Sequence, residues 1–150
     1  MVTLYDQAQV AERLEGLLHE DTQGFSLGMD LTVAEVQRLT GGGRLDFGGS
    51  EFEAAQAETL TPEKADPKDD YGWWHLSAGS YLVRYNEKLS LKEGELALVT
   101  PHTRLLQAGA SHGAFSAVGE TTLRVLLTVS EVGCSFKENA RVSRLVVFAK

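Results

Sequence analysis

Tyr81-Leu82-Val83-Arg84-Tyr85-Asn86 sets Tyr81, Val83 and Tyr85 on one side of an extended chain and Leu82, Arg84 and Asn86 on the other. A period of two marks a half-buried strand, because successive side chains of an extended backbone point to opposite faces. The alternation recurs downstream. Leu96, Leu98 and Thr100 alternate with Ala97 and Val99, and Leu123, Val125, Leu127 and Val129 with Arg124, Leu126 and Thr128. Val142, Leu145, Val146, Val147 and Phe148 form a further apolar stretch. Ala78-Gly79, Lys92-Glu93-Gly94 and Lys137-Glu138-Asn139 separate these runs. Short strands punctuated by turn residues predict a sandwich or barrel, with β-structure throughout from Trp73 onward.

The first half reads differently. Val10, Leu14, Leu17 and Leu18 fall at i, i+4, i+7 and i+8, which predicts a single helix over residues 3–18. Thr3 with Asp6 three residues on resembles a capping box, and Gly24 and Gly28 break the pattern. Such a stripe packs on a sheet or binds a partner. Leu31, Val33 and Val36 suggest a short strand, Gly41-Gly42-Gly43 a break, and Arg44-Leu45-Asp46-Phe47 a half-buried strand. Residues 58–71, polar and unpatterned with Pro62 and Pro67, read as a mobile surface loop. The expected organisation is one domain over residues 1–150: a leading helix and a mostly-β body.

Composition narrows the function classes. The chain has 150 residues, 43% hydrophobic and 23% charged, enough to close a core without a disulfide or metal. Its 14 basic and 21 acidic residues give a net charge of −7, which disfavours duplex nucleic acid as a partner. A small polyphosphate with Mg²⁺ stays open, since a local positive pocket can offset the overall sign. Cys134 is the only cysteine, so there is no internal disulfide and no multi-cysteine metal site, a usage that suits a reducing cytoplasm. Neither a membrane span nor a signal peptide is expected.

The order of segments resembles the dUTPase and dCTP deaminase superfamily. Gly28-Met29-Asp30-Leu31-Thr32-Val33 is similar to its first motif, and residues 76–87, from Leu76 to Glu87, to its Leu-x-Pro-Gly-x-Tyr/Phe-Leu-…-Glu segment, with Ala78 for the Pro. Residues 96–109 stand where the family carries Pro-Arg-Ser-Ser-Leu-Leu-Arg-x-Gly, and residues 137–148 resemble the closing Lys-Gly-Ala-Arg-Ile-x-Gln-Leu-Val-Phe strand. The matches keep family order over residues 26–148. The resemblance implies a distorted jelly-roll β-barrel of the β-clip kind, assembled as a homotrimer with sites shared between subunits. It also implies a deoxynucleoside triphosphate substrate. Family dUTPases convert dUTP to dUMP and pyrophosphate with Mg²⁺ and an aspartate-activated water; family deaminases act on dCTP without zinc, through a glutamate.

The departures from the family pattern concern the chemistry. In Pro101-His102-Thr103-Arg104-Leu105-Leu106-Gln107, His102 aligns with the family Arg, Thr103 and Arg104 with the two Ser, and Gln107 with the later Arg. On a strand, positions 102 and 104 share a face, so Arg104 would take the displaced phosphate contact, or else a salt bridge in the trimer. His102, Thr103, Arg104 and Arg144 are thus the candidate phosphate-binding residues. Arg144 replaces a Gln and would alternatively meet a carboxylate of a neighbouring subunit. Asp30 would help hold Mg²⁺ through water. The third motif, Gly109 to Thr122, is about two residues short by alignment and has no aspartate, which leaves Glu120 as the candidate base or a solvated turn residue. Asn139 replaces the family Gly and suits a left-handed turn.

No other constellation carries chemistry. His19, His75, His102 and His112 have no metal spacing, Gly41-Gly42-Gly43 is not followed by Lys-Ser/Thr, and Cys134 reads as a small buried residue. Trp73 and Trp74, beside Tyr71, either stack a base or pack the barrel edge or a subunit contact. Two functions remain: a dUTP diphosphatase with a rearranged, impaired site, or a non-catalytic trimeric binding or structural protein that keeps only the barrel.

Overall fold

The computed structural model describes residues 1–150. The N-terminal segment runs through β1 (Thr3–Leu4), α1 (Gln7–Ala11), β2 (Leu14–Glu15), α2 (Glu20–Gln23) and β3 (Gly24–Phe25). There follow β4 (Gly28–Gly41), β5 (Gln56–Thr59), β6 (Trp73–Leu76), β7 (Gly79–Ser90), β8 (Glu95–Pro101) and α3 (Thr103–Gln107). The last elements are β9 (Ala110–His112), β10 (Phe115–Ala117), β11 (Glu120–Val129), β12 (Cys134–Lys137) and β13 (Arg141–Ala149).

The main sheet runs β10-β8-β13-β4-β7-β11-β9, with β1 added to β13, β2 to β7, and β3 and β5 to β4. β6 and β12 form a separate ribbon. The ends of the main path, β9 and β10, are joined by Gly113 and Ala114 alone. Two residues span roughly 7 Å, so the sheet has to curl until its ends meet. This is the distorted jelly-roll, mostly-β fold that the alternating strands and the resemblance lead one to expect.

Strand phase fills the barrel. Tyr81, Val83, Tyr85 and Leu89 of β7 and Leu123, Val125, Leu127 and Val129 of β11 are buried, while their alternates face outward. A fully buried side chain of this size contributes about 1.5–3 kcal/mol. β4 departs from alternation, with every residue from Gly28 to Val33 buried. The core covers one of its faces. The N-terminal segment covers the other, where Gln23 donates to the Asp30 carbonyl.

Five expectations need correction. The helix over residues 3–18 is only Gln7–Ala11. Open sheet edges compete for this backbone and take it: Thr3 and Leu4 pair with Ala149 and Phe148, and Leu14 and Glu15 with Leu89 and Lys88. The capping box is Asp6 with Gln9, each side chain accepting the other's backbone N–H. Gly16 has φ +85°, and a Cβ there would lie 2.7 Å from the Asn86 carbonyl, so no helix continues through it.

Arg44 to Phe47 is not a half-buried strand. Arg44 bridges Glu53 alone, and Asp46 accepts from the backbones of Gly49 and Glu51, folding a hairpin whose Leu45 and Phe47 stand in water. Residues 58–71 begin inside β5 and are tied by the Glu63–Trp73 bridge. The stretch after Trp73 is not β throughout, because α3 interrupts it; at five residues it is too short to show a helical period. Asn139 adopts φ +67°, the left-handed turn expected of it. No helix is long and apolar enough to cross a membrane.

Candidate functional site

Asp30 and Arg144 are direct partners in the β4–β13 ladder, which places their side chains on one face. Arg141 lies three residues earlier and in a regular strand would face the other way. A register shift between Arg141 and Ser143 adds one residue, so both arginines reach Asp30. Arg141 Nη1 donates to Asp30 Oδ2 at 3.2 Å and to the Thr22 carbonyl at 3.0 Å. Arg144 Nε stands 3.3 Å from Oδ1, but without hydrogen-bond alignment, so both buried atoms lack a hydrogen-bond partner. The Arg144 guanidinium stacks over Phe25, 4.8 Å from the ring centre.

His102 completes the cluster. Its Nδ1 accepts from the Arg104 backbone N–H at 3.0 Å and caps α3. The ring proton is therefore on Nε2, which faces Asp30 Oδ2 at 3.3 Å. Burial lowers the His102 pKa, as do Arg144, Arg141 and Arg104, against the pull of Asp30. The helix also undoes the expectation that positions 102 and 104 share a face. At about 100° per residue they diverge, so His102 is buried while Arg104 and Thr103 are exposed.

A second buried network lies behind β13. Ser143 Oγ is 2.5 Å from the Tyr85 hydroxyl and 2.7 Å from His112 Nε2, and His112 Nδ1 is 2.9 Å from the Gly113 carbonyl. That carbonyl only accepts, so Nδ1 carries the proton and Nε2 accepts from Ser143, which in turn accepts from Tyr85. Burial lowers the His112 pKa and raises that of Tyr85. Burial likewise raises the pKa of Glu87, against hydrogen bonds from the Thr32 backbone, the Thr32 hydroxyl and Gln23.

Five of the six candidate residues thus come together on or beside one cluster: Asp30, His102, Thr103, Arg104 and Arg144. Glu120 does not. It is exposed at the start of β11, opposite Ser90, and enters none of the ion pairs around Asp30. Sequence reasoning missed Arg141, whose orientation depends on the bulge, and the burial of Glu87. The latter was signalled by its phase: Glu87 falls in step with Tyr81, Val83 and Tyr85.

The site does not fit an Mg²⁺ held by the protein. Both Asp30 oxygens face cations or imidazole, and no three His, Cys, Asp or Glu side chains gather to hold a metal ion.

Both histidines should make the fold acid-sensitive. Their pKa values are lowered from the ordinary 6.5 on folding, so below that value the unfolded chain binds more protons than the folded one. Stability should be level above pH 6.5 with respect to these groups. Below it, stability should fall by up to about 2.7 kcal/mol per pH unit for two such groups. Glu87 opposes this above 4.5, because its raised pKa favours the folded chain as pH falls. Urea midpoints from pH 7.5 to 5 test the slope. His102→Asn, which retains a capping side chain, should remove about half of it.

No family model matches the chain. A probable deoxyuridine 5'-triphosphate nucleotidohydrolase of Archaeoglobus fulgidus is 30% identical over 148 residues, covering 94% of this chain and 83% of that protein. Another, of Methanosarcina mazei, is 29% identical over 140 residues, covering 90% and 77%. The 2'-deoxycytidine 5'-triphosphate deaminase of Agrobacterium tumefaciens shares the fold, with a TM-score of 0.63 over 99% of this chain at 12% identity. This chain spans 49% of the deaminase chain.

Proposed function

Because the chain belongs to the dUTPase family, we propose that it acts on dUTP at the cluster around Asp30, as a dUTP diphosphatase-like protein with an impaired hydrolytic step. One observation carries this reading. In a chain of net charge −7, Arg141 and Arg144 meet a single carboxylate, and Arg104 adds its charge beside His102. That local excess of positive charge suits a polyphosphate. Arg104 and Thr103 are exposed, Arg144 is held flat on Phe25, and guanidinium groups bind phosphate oxygens in pairs. His102 acts indirectly, by capping the helix that carries Thr103 and Arg104.

The impairment follows from what surrounds each candidate base. His102, His112 and Glu87 accept hydrogen bonds, Asp30 faces His102, Arg141 and Arg144, and Glu120 enters none of these ion pairs. Those same facts favour the second reading, a trimeric binding or structural protein without turnover. We place the protein in the cytoplasm as a homotrimer, for which light scattering should return three times the 16.3 kDa chain mass. The deciding experiment is a titration with a non-hydrolysable imido analogue of dUTP, followed by pyrophosphate release from dUTP. Binding that Arg104→Ala and Arg144→Ala weaken supports the site; no binding at millimolar analogue favours the structural reading.

A further inference from the structure

Phe47, at the tip of the hairpin over residues 42–55, is fully exposed to water. The tip is nevertheless braced. Both carboxylate oxygens of Asp46 accept backbone N–H groups, of Gly49 and Glu51, at 3.0 Å, and Gly49 closes the turn with φ +94°. At the base, Gly43 runs so close to the returning chain that a Cβ there would lie 2.2 Å from the Glu53 carbonyl oxygen. An aromatic ring held out on such a turn has lost its backbone freedom before any contact is made, as suits an interface anchor.

The same hairpin leans over the outer face of the sheet. Leu45 and Phe52 line a groove of 530 Å³ with Leu39 of β4, Leu82 of β7 and Leu126 of β11, whereas Phe47 does not line it. Leu82 and Leu126 are cross-strand partners, and one rung along, Arg84 and Arg124 are partners in turn. A second hollow, of 540 Å³, continues from Leu126 to Arg124. Like charges opposite each other are unfavourable. Glu35 pairs with Arg84 at 3.5 Å, but Arg124 enters no ion pair. The groove is thus apolar along its floor and cationic at one end. The hairpin is of opposite sign: it carries Arg44 against Asp46, Glu51 and Glu53, and Glu51 enters no ion pair.

We propose that these two surfaces meet between copies of this chain: Phe47 of one copy enters the groove of the next, with Glu51 against Arg124. An anchor without a pocket and a pocket without an anchor, of opposite charge, stand on one chain, so a second copy supplies what each lacks. Exposed apolar patches rimmed by charge mark interaction surfaces. Tip and groove are different patches, so the contact runs head to tail, which builds a ring when its rotation closes. The inference makes no use of the nucleotide reading; it names the surfaces through which the assembly proposed above would form.

Light scattering over a range of concentrations tests it with variants that touch no core residue. Phe47→Ser should weaken association about 30-fold or more, the loss of one hot-spot side chain. Its circular dichroism spectrum should match wild type, because the Phe47 side chain is fully exposed. Arg124→Glu should weaken association as well, and adding Glu51→Arg should restore it. Under mild oxidation, the double variant Phe47→Cys/Leu126→Cys should give a ladder of linked chains, and neither single variant should. A wild-type mass of one 16.3 kDa chain at micromolar concentration would overturn both the contact and the assembly. A wild-type oligomer that Phe47→Ser leaves intact would overturn the contact alone. Linked chains from Phe47→Cys by itself would mean that copies meet tip to tip, which overturns the head-to-tail arrangement.

Discussion

Arg13→Ala should destabilise the protein by about 3–5 kcal/mol, the cost of leaving a buried charge without its partner. Glu95 is almost fully buried at the start of β8, and Arg13 approaches it through Nε at 3.2 Å from both oxygens and Nη2 at 2.7 Å. The Tyr5 hydroxyl and the Lys92 backbone N–H donate to the same carboxylate, at 2.8 and 2.9 Å. The Arg13 guanidinium also lies 4.6 Å from the Tyr5 ring centre. This is a fork held on several sides, unlike a surface pair worth 0–1 kcal/mol. It also fastens the N-terminal segment, since the Arg13 carbonyl accepts from Ser90.

The hydrogen bond from Arg13 leads the effects that lower the Glu95 pKa from 4.5 to about 2. A depressed folded pKa means that the pair's contribution is complete above 4.5 and is lost as pH falls toward 2. Urea unfolding at pH 7 should show the full deficit in Arg13→Ala, and the difference from wild type should shrink as pH falls through that window. Arg13→Lys, with charge but no fork, should fall between them. A deficit below 1 kcal/mol at pH 7 would show that the pair behaves as a surface one.

Strand phase was the legible part of this fold. Tyr81 to Leu89 and Leu123 to Val129 alternate without interruption, and their burial follows the alternation. The N-terminal stripe was not legible for a specific reason. Val10 and Leu14 are both buried at helical spacing, yet Leu14 reaches the core from a strand, because β7 offered backbone partners that a helix would have left unpaired. A spacing of four serves either geometry when the edge of a sheet is near.

The cationic site was half legible for the same kind of reason. Asp30 and Arg144 follow from order along the chain, whereas Arg141 joins them only through one extra residue in β13, which leaves no mark in composition. The position of His102 in the motif suggests a phosphate contact. A helix start turns it inward instead, where its ring fixes the backbone that presents Arg104.

Turnover of dUTP should run about 10²–10⁴-fold below that of an active dUTPase assayed alongside, the usual cost of losing a general base. Hydrolysis of a phosphoanhydride needs positive charge for the departing oxygens, an oriented water and a group to take its proton. On the proposed reading, Arg104, Arg141 and Arg144 supply the first, and the last has no free candidate: Asp30 faces three cationic or imidazole groups, His102 Nδ1 caps α3, His112 Nε2 accepts from Ser143, and Glu87 takes three donors. Glu120→Gln should accordingly leave the residual rate within about twofold, since a carboxylate misplaced by even ~1 Å costs ~10²-fold and this one is exposed at the start of β11, outside the ion pairs around Asp30. Pyrophosphate release measured for wild type and Glu120→Gln decides the matter. A robust rate abolished by Glu120→Gln would mean that Glu120 reaches phosphates bound on another copy of the chain, as the proposed trimer would allow. A robust rate untouched by it would mean that another group gives up its hydrogen bond to serve as base, and Asp30→Asn is the first variant in which that rate should collapse.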